Sequence, residues 1–473
     1  MSIADFTTGL TRSHAGLSGV LALADGRRAF AARAQLIEAA QHGIDCQYYI
    51  WRNDMSGQLL LDALRRAAQR GVRVRLLLDD HNTDGLDALL AAHDSLPNFE
   101  VRLFNPHRFR SWRIFGLLAD FARLNRRMHN KSFTVDGAAS IVGGRNVGDE
   151  YFGANAELAF VDLDVLVVGE AAAKVARDFE RYWTSRPVVP LARVIPAATH
   201  QARDAALELA LQATRSPEAI AFAQGIAASP LMRELRAGTL PLEWARTWLV
   251  SDPPAKGVRI LGRRKLLMRR LQRILGAPRR ELLLISAYFV PTRRGMRLLL
   301  GLARRGVRIT VLTNSLEATD VTAVHAGYAG FRKTLLKAGV SLYEMKRRTG
   351  IVRNPEQRVG ESSASSLHAK AFCVDRARVF IGSFNFDARS VRLNTEMGLV
   401  IDSAKLADLV GGDLATERFL RESYQVRLGE SGRLLWLERT AAGEIFHTRE
   451  PNASLRRRLV VRALSMLRIR WLL

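Results

Sequence analysis

The order of apolar and polar positions is the same in two distant parts of the chain. Residues 44–80 read as a strand, a short loop, an amphipathic helix and a second strand, because apolar runs flank a stretch with helical periodicity. Residues 281–314 repeat this order, and both segments contain the tetrapeptide Arg-Gly-Val-Arg before the second strand. Each segment predicts a β-α-β unit, which implies a parallel or mixed sheet flanked by helices.

A second pattern that also occurs twice follows each unit. Residues 129–146 read HNKSFTVDGAASIVGGRN, and residues 368–385 read HAKAFCVDRARVFIGSFN. The copies are 239 residues apart (368 − 129) at four positions, namely His129 and His368, Lys131 and Lys370, Asp136 and Asp375, and Asn146 and Asn385. A constant offset indicates duplication, and a period of this length indicates two domains rather than a solenoid.

The duplication predicts the fold class and the domain organisation. We expect an α/β protein in which two duplicated α/β/α halves pack as an intramolecular pseudo-dimer around one active site. Residues 347–366, rich in Gly, Ser and Arg, predict a loop that leads into the second block. The predicted parts are an N-terminal segment 1–27, a first half 28–189, a connector with helix and loop 190–264, a second half 265–430 and a basic amphipathic tail 431–473.

The repeated blocks place chemically useful side chains on one side of a strand. Residues i and i+2 of a strand face the same way, so His129 points with Lys131, and His368 points with Lys370. Strand ends in α/β folds open onto ligand crevices. Two facing halves are therefore expected to bring two imidazoles, two ammonium groups and two Asn amides into one pocket.

Such groups suit phosphodiester chemistry without a metal or another cofactor. A neutral imidazole can attack phosphorus and form a phosphohistidine, and a protonated second imidazole can donate to the leaving alkoxide. Donors from Lys and from Asn146 and Asn385 can stabilise the charge on the non-bridging oxygens, beside the turns that hold Gly144 and Ser383. The two histidines need different protonation states, so their surroundings must separate their pKa values.

Several carboxylates are candidates for a role beside the histidines. Asp136 and Asp375 end the strand of each block, where they either fix the turn through Asx-type hydrogen bonds or take part in the chemistry. Asp162 and Asp164 in FVDLDVLVVG, and Glu396 in LNTEMGLVI, stand at the start of later apolar strands. A carboxylate there either orients a histidine and fixes its tautomer or is a solvated acid at a strand edge. For the first half, Asp162 is preferred over Asp164.

The composition restricts the partners. The formal charge of +25 and the pI near 11.1 favour polyanions, either nucleic acid or an anionic membrane surface. A hydrophobic content of 48% is enough for packed globular halves. Cys46 and Cys373 lie in apolar, strand-like runs and are expected to be buried thiols. We expect no signal peptide, and the absence of an apolar run long enough to span a bilayer predicts no transmembrane helix.

The doubled pattern H-x-K-x4-D, each copy followed by G-[GS]-x-N, resembles the signature of the phospholipase D superfamily. Longer stretches, among them QYYIWRNDMSGQLLLDAL, VHAGYAGFRK and FIGSFNFDARSVRLNTEMG, are similar to bacterial cardiolipin synthases of the C type. The likeness covers nearly the whole chain. It implies phospholipase D-type halves and catalytic roles for His129, Lys131, Asp136, His368, Lys370 and Asp375.

The resemblance also implies a reaction and a location. Such enzymes transfer a phosphatidyl group from a donor, in the C type phosphatidylethanolamine, to phosphatidylglycerol through a phosphohistidine, and His129 is assigned as the nucleophile by analogy. The expected place is peripheral, on the cytoplasmic face of the bacterial inner membrane, with no cofactor and no nucleic acid partner. The alternatives are a phospholipase D-type phosphodiesterase that hydrolyses phospholipid or nucleic acid, and a membrane-binding protein that no longer catalyses.

Two segments are candidates for the membrane contact. Residues 454–473 predict a helix capped by Ser454, with Leu459, Val460 and Leu464 on an apolar side that also holds residues 463, 467 and 471. Arginines occupy the other side, so the helix either lies at an anionic interface or packs on its own domain. Residues 105–127 mix aromatic side chains with arginines, which suits a headgroup interface, nucleic acid or an ordinary helix over the core.

Overall fold

The structure is a computed structural model that describes residues 3–107, 110, 120–154, 158–195, 199–227, 231–237, 239–349, 364–412 and 416–466. Strands and helices alternate in the first half of the chain. Its strands are β1 (Ser18–Leu23), β2 (Gly43–Tyr48), β3 (Arg73–Asp79), β4 (Phe99–Phe104), β5 (Ser132–Val135), β6 (Ala139–Gly143), β7 (Leu158–Val161), β8 (Asp164–Gly169) and β9 (Val188–Pro190). Its helices are α1 (Ile3–Arg12), α2 (Gly26–Ala39), α3 (Met55–Gln69), α4 (Asp87–Asp94), α5 (Phe121–Leu124), α6 (Asp149–Phe152) and α7 (Glu170–Trp183).

The rest of the chain continues this alternation after a helical stretch. The strands are β10 (Glu243–Ser251), β11 (Glu281–Ser286), β12 (Arg308–Asn314), β13 (Ser341–Met345), β14 (Arg348–Thr349), β15 (Ala364–Leu367), β16 (Lys370–Val374), β17 (Arg378–Gly382), β18 (Met397–Asp402), β19 (Ser423–Leu428), β20 (Leu434–Thr440) and β21 (Gly443–His447). The helices are α8 (His200–Thr214), α9 (Pro217–Ala227), α10 (Leu231–Ala237), α11 (Leu267–Leu275), α12 (Arg293–Arg304), α13 (Thr322–Ala329), α14 (Arg332–Lys337), α15 (Ala388–Arg392), α16 (Ala404–Gly412), α17 (Glu417–Glu422) and α18 (Leu455–Met466).

Both predicted β-α-β units are present. β2, α3 and β3 form the first, β11, α12 and β12 form the second, and the two strands of each unit pair in parallel. The helices begin where their sequences supply a cap. Asp54 accepts a hydrogen bond from the Gly57 amide at the start of α3, and Thr292 accepts one from the Gly295 amide at the start of α12. The local pattern of apolar positions therefore correctly predicted these elements.

The strand pairings of the two halves are related by pseudo-symmetry. The first half has the order β4-β3-β2-β5-β6-β8, and the second half has the order β13-β12-β11-β16-β17-β18. In each half, three parallel strands are extended by three antiparallel ones. This arrangement places the two histidine blocks, which lead into β5 and β16, at equivalent positions.

Strands outside the predicted halves also join the sheets. β20 and β21, within the predicted tail 431–473, extend the sheet of the second half through β19, so this part of the tail belongs to that sheet. β1, within the predicted N-terminal segment, pairs with β8. β10, within the predicted connector, pairs with β1 through its first residues and with β18 through its remaining ones. β10 thus passes directly from the sheet of the first half to the sheet of the second half. Sequence alone did not reveal this, because neither strand belongs to the repeated pattern.

The two halves share a hydrophobic core. Val142, Val165 and Val167 of the first half belong to one buried cluster with Ile381 and Leu399 of the second half. Each buried aliphatic side chain of this kind contributes roughly 1.5–3 kcal/mol relative to an exposed one. The halves are therefore held together as one packed body. Both cysteines are free and buried, as expected.

A small sheet also crosses between the halves. β7 of the first half pairs in parallel with β15 of the second half, and β14 pairs with β15. β14 and β15 occupy the two ends of the segment predicted as a loop, and residues 350–363 between them lie outside the described residues. β15 runs directly into His368, so the position of this histidine depends on a strand of the other half.

The C-terminal helix α18 is capped as predicted, because the side chain of Ser454 accepts a hydrogen bond from the Arg457 amide. The predicted apolar face is wrong for Leu464. This residue packs with Val461 towards α13, whereas Leu459 is 55% exposed. Residues 467–473 of the tail, and 108–109 and 111–119 of the aromatic segment, lie outside the described residues. In the described part of the chain, no helix is long and apolar enough to cross a bilayer.

Candidate active site

Backbone hydrogen bonds from the opposite half hold both histidines. The His129 amide donates to the Thr395 carbonyl at 2.9 Å, and the His368 amide donates to the Val161 carbonyl at 2.8 Å. Thr395 and Val161 each precede a predicted carboxylate, Glu396 and Asp162 respectively. The exchange is reciprocal, so the interface between the halves fixes both imidazoles.

The side chains make the same exchange. His129 Nδ1 lies 2.9 Å from Glu396 Oε2, and His368 Nδ1 lies 2.6 Å from Asp162 Oδ2. Each histidine therefore contacts the carboxylate supplied by the other half. Asp164, the alternative to Asp162, is instead buried in an ion pair with Arg33 at 2.8 Å.

The surroundings of Glu396 are rich in hydroxyl donors. Ser383 Oγ donates to Glu396 Oε2, and Ser390 Oγ donates to Glu396 Oε1 at 2.8 Å. The Glu396 amide donates to the buried carboxylate of Asp252, which also pairs with Lys256. Burial raises the pKa of Glu396 to about 7, although nearby Lys charges and the serine hydrogen bonds oppose the increase. This carboxyl is therefore partly protonated near neutral pH.

The surroundings of Asp162 have the opposite effect. Burial alone would raise its pKa, but the charges of His368, Lys370 and Arg145 outweigh burial and hold the pKa of Asp162 well below its usual value. Gly144 leaves the room for this carboxylate, since a Cβ at that position would lie 2.1 Å from Asp162 Oδ1. The two carboxylates that contact the histidines therefore differ in protonation at neutral pH.

The glycine and the serine at the equivalent motif positions have different uses. Gly144 makes space for Asp162, whereas Ser383 in the second block donates directly to Glu396. His129 is thus paired with the longer carboxylate, Glu396, which has a hydroxyl donor, and His368 with the shorter one, Asp162, which fits beside a glycine. This explains why the motif reads GG in one block and GS in the other.

Both lysines are buried at the centre. Lys131 Nζ donates to the His129 carbonyl at 2.7 Å, and Lys370 Nζ lies 2.9 Å from His368 Nδ1. Burial, only partly opposed by the nearby carboxylates, lowers the pKa of Lys370 and lowers that of Lys131 further. Each histidine lies close enough to the lysine of the other half for that lysine's charge to lower the histidine pKa.

The histidines themselves favour the neutral form to different degrees. Burial, together with the lysine charges of both halves, holds the pKa of His129 well below its usual value. Burial and Lys370 also lower the pKa of His368, but Asp162 works against this change. Of the two, His368 therefore gains more support for its protonated form.

The two predicted Asn amides have different environments. Asn146 is fully engaged, because its Oδ1 accepts from the Ile50 amide at 3.1 Å and its Nδ2 donates to the Tyr151 hydroxyl at 2.9 Å. Asn385 Oδ1 is buried and has no hydrogen-bond partner within the described part of the chain. Asn146 thus positions Tyr151, whereas the Asn385 amide is not held in the same way.

The structure does not bring Asp136 and Asp375 to the histidines. The Asp136 carboxylate accepts hydrogen bonds from three successive backbone amides, residues 41–43, and Asp375 does the same with residues 279–281. Both have positive φ near 52° and lie beyond the end of their strand opposite to the histidine. Each Asp lies five positions after its Lys, which corresponds to about 17 Å of extended chain. Their contacts are structural, and the expected Asx-type turn is instead a set of bonds across the sheet.

Aromatic side chains that the repeated sequence blocks do not contain complete the site. The ring of Tyr49 lies 5.1 Å from that of His129, and the rings of Tyr151 and Phe160 lie 5.2 and 5.1 Å from that of His368. The 239-residue offset of the repeat relates Tyr49 to Tyr288 (288 − 49), so that offset could have pointed to this pair. In the described ranges, no group of three or more His, Cys, Asp or Glu side chains is arranged to hold a metal ion.

Comparisons with known proteins identify the family of the chain. The family model described as "Cardiolipin synthase, PLD-like domain" matches residues 34–183 and 271–415. The chain is 49% identical over 471 residues to cardiolipin synthase C of Escherichia coli K12, with 98% of each chain covered. It is 28% identical over 398 residues to cardiolipin synthase A of Pseudomonas putida W619, which covers 84% of this chain and 67% of that one.

A solved structure shows the fold over the full length. Phosphatidylserine synthase of Haemophilus influenzae Rd KW20 superposes with a TM-score of 0.62 at 14% identity, covering 99% of this chain and all of that one. This likeness, with the family match in two segments, confirms the predicted pair of phospholipase D-type α/β halves. The chain therefore belongs to the family of cardiolipin synthases with phospholipase D-like domains.

Proposed function

We propose that this phosphatidyltransferase makes cardiolipin by moving a phosphatidyl group from phosphatidylethanolamine to phosphatidylglycerol through a phosphohistidine. The class of reaction follows from the family, and the donor follows from the resemblance to the C type. The observation that carries the proposed mechanism is the crossed pair of contacts, His129 with Glu396 and His368 with Asp162. It provides two oriented imidazoles with unequal preference for a proton.

In the proposed first step, His129 attacks the phosphorus of the donor. With Glu396 ionised, His129 Nδ1–H donates to that carboxylate and Nε2 keeps its lone pair for the attack. The Nε2–P bond forms, the bond from phosphorus to the ethanolamine oxygen breaks, and His368 gives a proton to the leaving oxygen. Lys131 and Lys370 stabilise the charge on the non-bridging oxygens.

In the second step, the acceptor replaces the histidine. A hydroxyl of phosphatidylglycerol gives its proton to His368, its oxygen bonds to phosphorus, and the Nε2–P bond breaks. The products are cardiolipin and a neutral His129, and His368 is again protonated. Proton transfer thus alternates on one residue, which suits a ping-pong reaction.

The choice of nucleophile rests on the electrostatic asymmetry. A nucleophile must be neutral, and burial with two nearby lysines lowers the pKa of His129 more strongly than that of His368. A general acid must hold a proton, and the ionised carboxylate of Asp162 supports the imidazolium of His368. We therefore assign attack to His129 and proton transfer to His368.

We also propose peripheral attachment to the cytoplasmic face of the bacterial inner membrane through α18. Leu455, Leu459 and Val460 are exposed on this helix, beside the exposed side chains of Arg456 and Arg462. Apolar residues interleaved with cations suit an anionic lipid surface. The buried face of the helix, through Val461, keeps it on the enzyme.

The test of the reaction uses purified full-length protein and defined phospholipid mixtures, with products identified by mass spectrometry. We expect cardiolipin and ethanolamine only when phosphatidylethanolamine and phosphatidylglycerol are both present. Cardiolipin from phosphatidylglycerol alone would show that the proposed donor is wrong. Phosphatidic acid in place of cardiolipin would indicate a hydrolase, and DNA cleavage without lipid turnover would reject the proposal.

The intermediate is tested by trapping. A phosphatidyl ester of p-nitrophenol needs no general acid, so His368→Asn should release one burst of nitrophenol and retain a covalent phosphatidyl group. His129→Asn should form no adduct. The matched control is His93→Asn, because His93 is also buried but bonds to the Leu89 carbonyl in α4. An adduct in His129→Asn and none in His368→Asn would reverse the two roles.

A further inference from the structure

A basic surface cavity, open to solvent, lies outside the histidine centre, between α7, β10 and α11. Its volume is about 320 Å³, and none of the repeated motif residues lines it. Four of its lining side chains are cationic, namely Lys174, Arg177, Arg181 and Arg270. A cavity of this size with convergent polar groups is in the range of small-ligand sites.

The positions of the cations follow from helix geometry. Lys174, Arg177 and Arg181 are spaced three and four residues apart, so they lie along one face of α7. α11 packs through Leu267 and its later buried leucines, and this orientation brings Arg270 to the cavity. Two rigid helices therefore present the charges, rather than a loop.

The cations are only partly neutralised. Asp178 is buried and uses both oxygens, one towards Arg181 and one accepting from Ser251 Oγ at 2.8 Å. Lys174 pairs with the exposed Glu170. Arg270 interacts electrostatically with Asp178, whereas Arg177 forms no ion pair with a carboxylate in the described part of the chain.

The excess of positive charge determines the chemistry of the ligand. Planar guanidinium groups match the oxygens of phosphate and form pairs of charge-assisted hydrogen bonds with them. Trp248 and Leu249 supply an apolar wall on the same cavity. We propose that this cavity binds a phosphate oxyanion, either the phosphodiester of an anionic phospholipid headgroup or free phosphate, as a site separate from the catalytic centre.

The cavity is joined to the catalytic centre by hydrogen bonds. Arg181 donates to the Asp252 carbonyl at 2.9 Å, and the Asp252 carboxylate accepts from the Glu396 amide at 3.1 Å. Glu396 in turn contacts His129. A phosphate bound to Arg181 would thus be connected to the proposed nucleophile, His129, through Asp252 and Glu396. The phosphate site itself does not depend on the proposed reaction.

Isothermal titration calorimetry with the full-length protein tests the proposal. One arm uses inorganic phosphate, and the other uses a short-chain phosphatidylglycerol below its micelle concentration. The variant R177Q/R270Q removes two of the cations, and R269Q/R273Q is the matched control, with two other exposed arginines of α11. A thermal melt of each variant verifies that it is folded.

We expect R177Q/R270Q to weaken one binding event about tenfold or more, as the loss of charge-assisted contacts predicts, and the control to bind as the wild type does. Loss in the phosphate arm alone identifies free phosphate, and loss in the lipid arm identifies the headgroup. Equal binding by wild type, variant and control in both arms would overturn the proposal. Cardiolipin synthesis, measured separately, reports on the proposed reaction, so the two proposals fail independently.

Discussion

Replacing Asp162 by Asn would remove one buried negative charge with almost no change in size. The carboxylate lies 2.6 Å from His368 Nδ1, and its pKa is held well below the usual value by His368, Lys370 and Arg145 against the effect of burial. It is therefore ionised throughout the working pH range. An amide cannot balance the imidazolium charge, so His368 becomes a poorer general acid.

The size of the effect follows from that single contact. A hydrogen bond to a charged group contributes roughly 1.5–3 kcal/mol. If the whole contribution is lost in the transition state, turnover of phosphatidylethanolamine falls by about ten- to 150-fold. A substrate with a p-nitrophenol leaving group needs no proton, so its release step should be nearly unaffected.

The assay compares both substrates across pH for the wild type and D162N. Asp162 raises the pKa of His368 against the larger lowering by burial, so D162N lowers that pKa further. The protonated fraction at a given pH then decreases, and the alkaline limb of the rate profile moves to lower pH. Release of ethanolamine and of nitrophenol is measured directly.

The matched control is D164N, which changes an equally buried Asp two residues away. Asp164 pairs with Arg33 and contacts neither histidine, so D164N should lower the melting temperature without distinguishing the leaving groups. Equal losses by D162N on both substrates would refute the argument that Asp162 acts through a general acid. An unchanged alkaline limb would refute the pKa argument.

Burial raises the pKa of Glu396 from 4.5 to about 7. The protonated carboxyl therefore contributes its full stabilisation below the pKa of the unfolded chain, and this contribution is lost as pH rises through the pKa of the folded protein. Denaturant melts should show that the free energy of unfolding falls by roughly 3 kcal/mol over this window in the wild type but not in E396Q. For D375N we expect a stability loss on the order of 1 kcal/mol with kcat retained, since the carboxylate binds backbone amides; an inactive variant with unchanged stability would contradict this. The variant L459E/V460E should float with anionic vesicles less than the wild type does, whereas the control L409E, at an exposed leucine of α16, should float as the wild type does. Equal flotation of the wild type and both variants would argue against α18 as the membrane contact.

Local sequence was sufficient for the elements and for the nature of the site. The alternation of apolar runs with helical periodicity predicted the β-α-β units, because strand and helix periods are properties of neighbouring residues. The 239-residue offset related His129 to His368 and Lys131 to Lys370, and each histidine lies near enough to both lysines for their charges to lower its pKa. Site chemistry that depends on residue type and short spacing could therefore be predicted from the sequence.

The aromatic residues and the central strands were harder to find. Tyr151 contacts His368, but the equivalent position in the second half is Ser390 (390 − 151 = 239), so no repeat marks it. β1 and β10 lie outside the repeated blocks and join the sheet through pairing with distant strands. Strand pairing between distant segments leaves no periodic signal in either segment.

The sequence by itself determined which side chains are available: two histidines, two lysines and carboxylates at the starts of apolar strands. Only the tertiary structure decided that Glu396 meets His129 and that Asp162, rather than Asp164, meets His368. It also decided which face of α18 is buried. The physical reason is the same in each case, since these choices depend on how two packed surfaces meet, and residues more than 100 positions apart cannot express that relation through local periodicity.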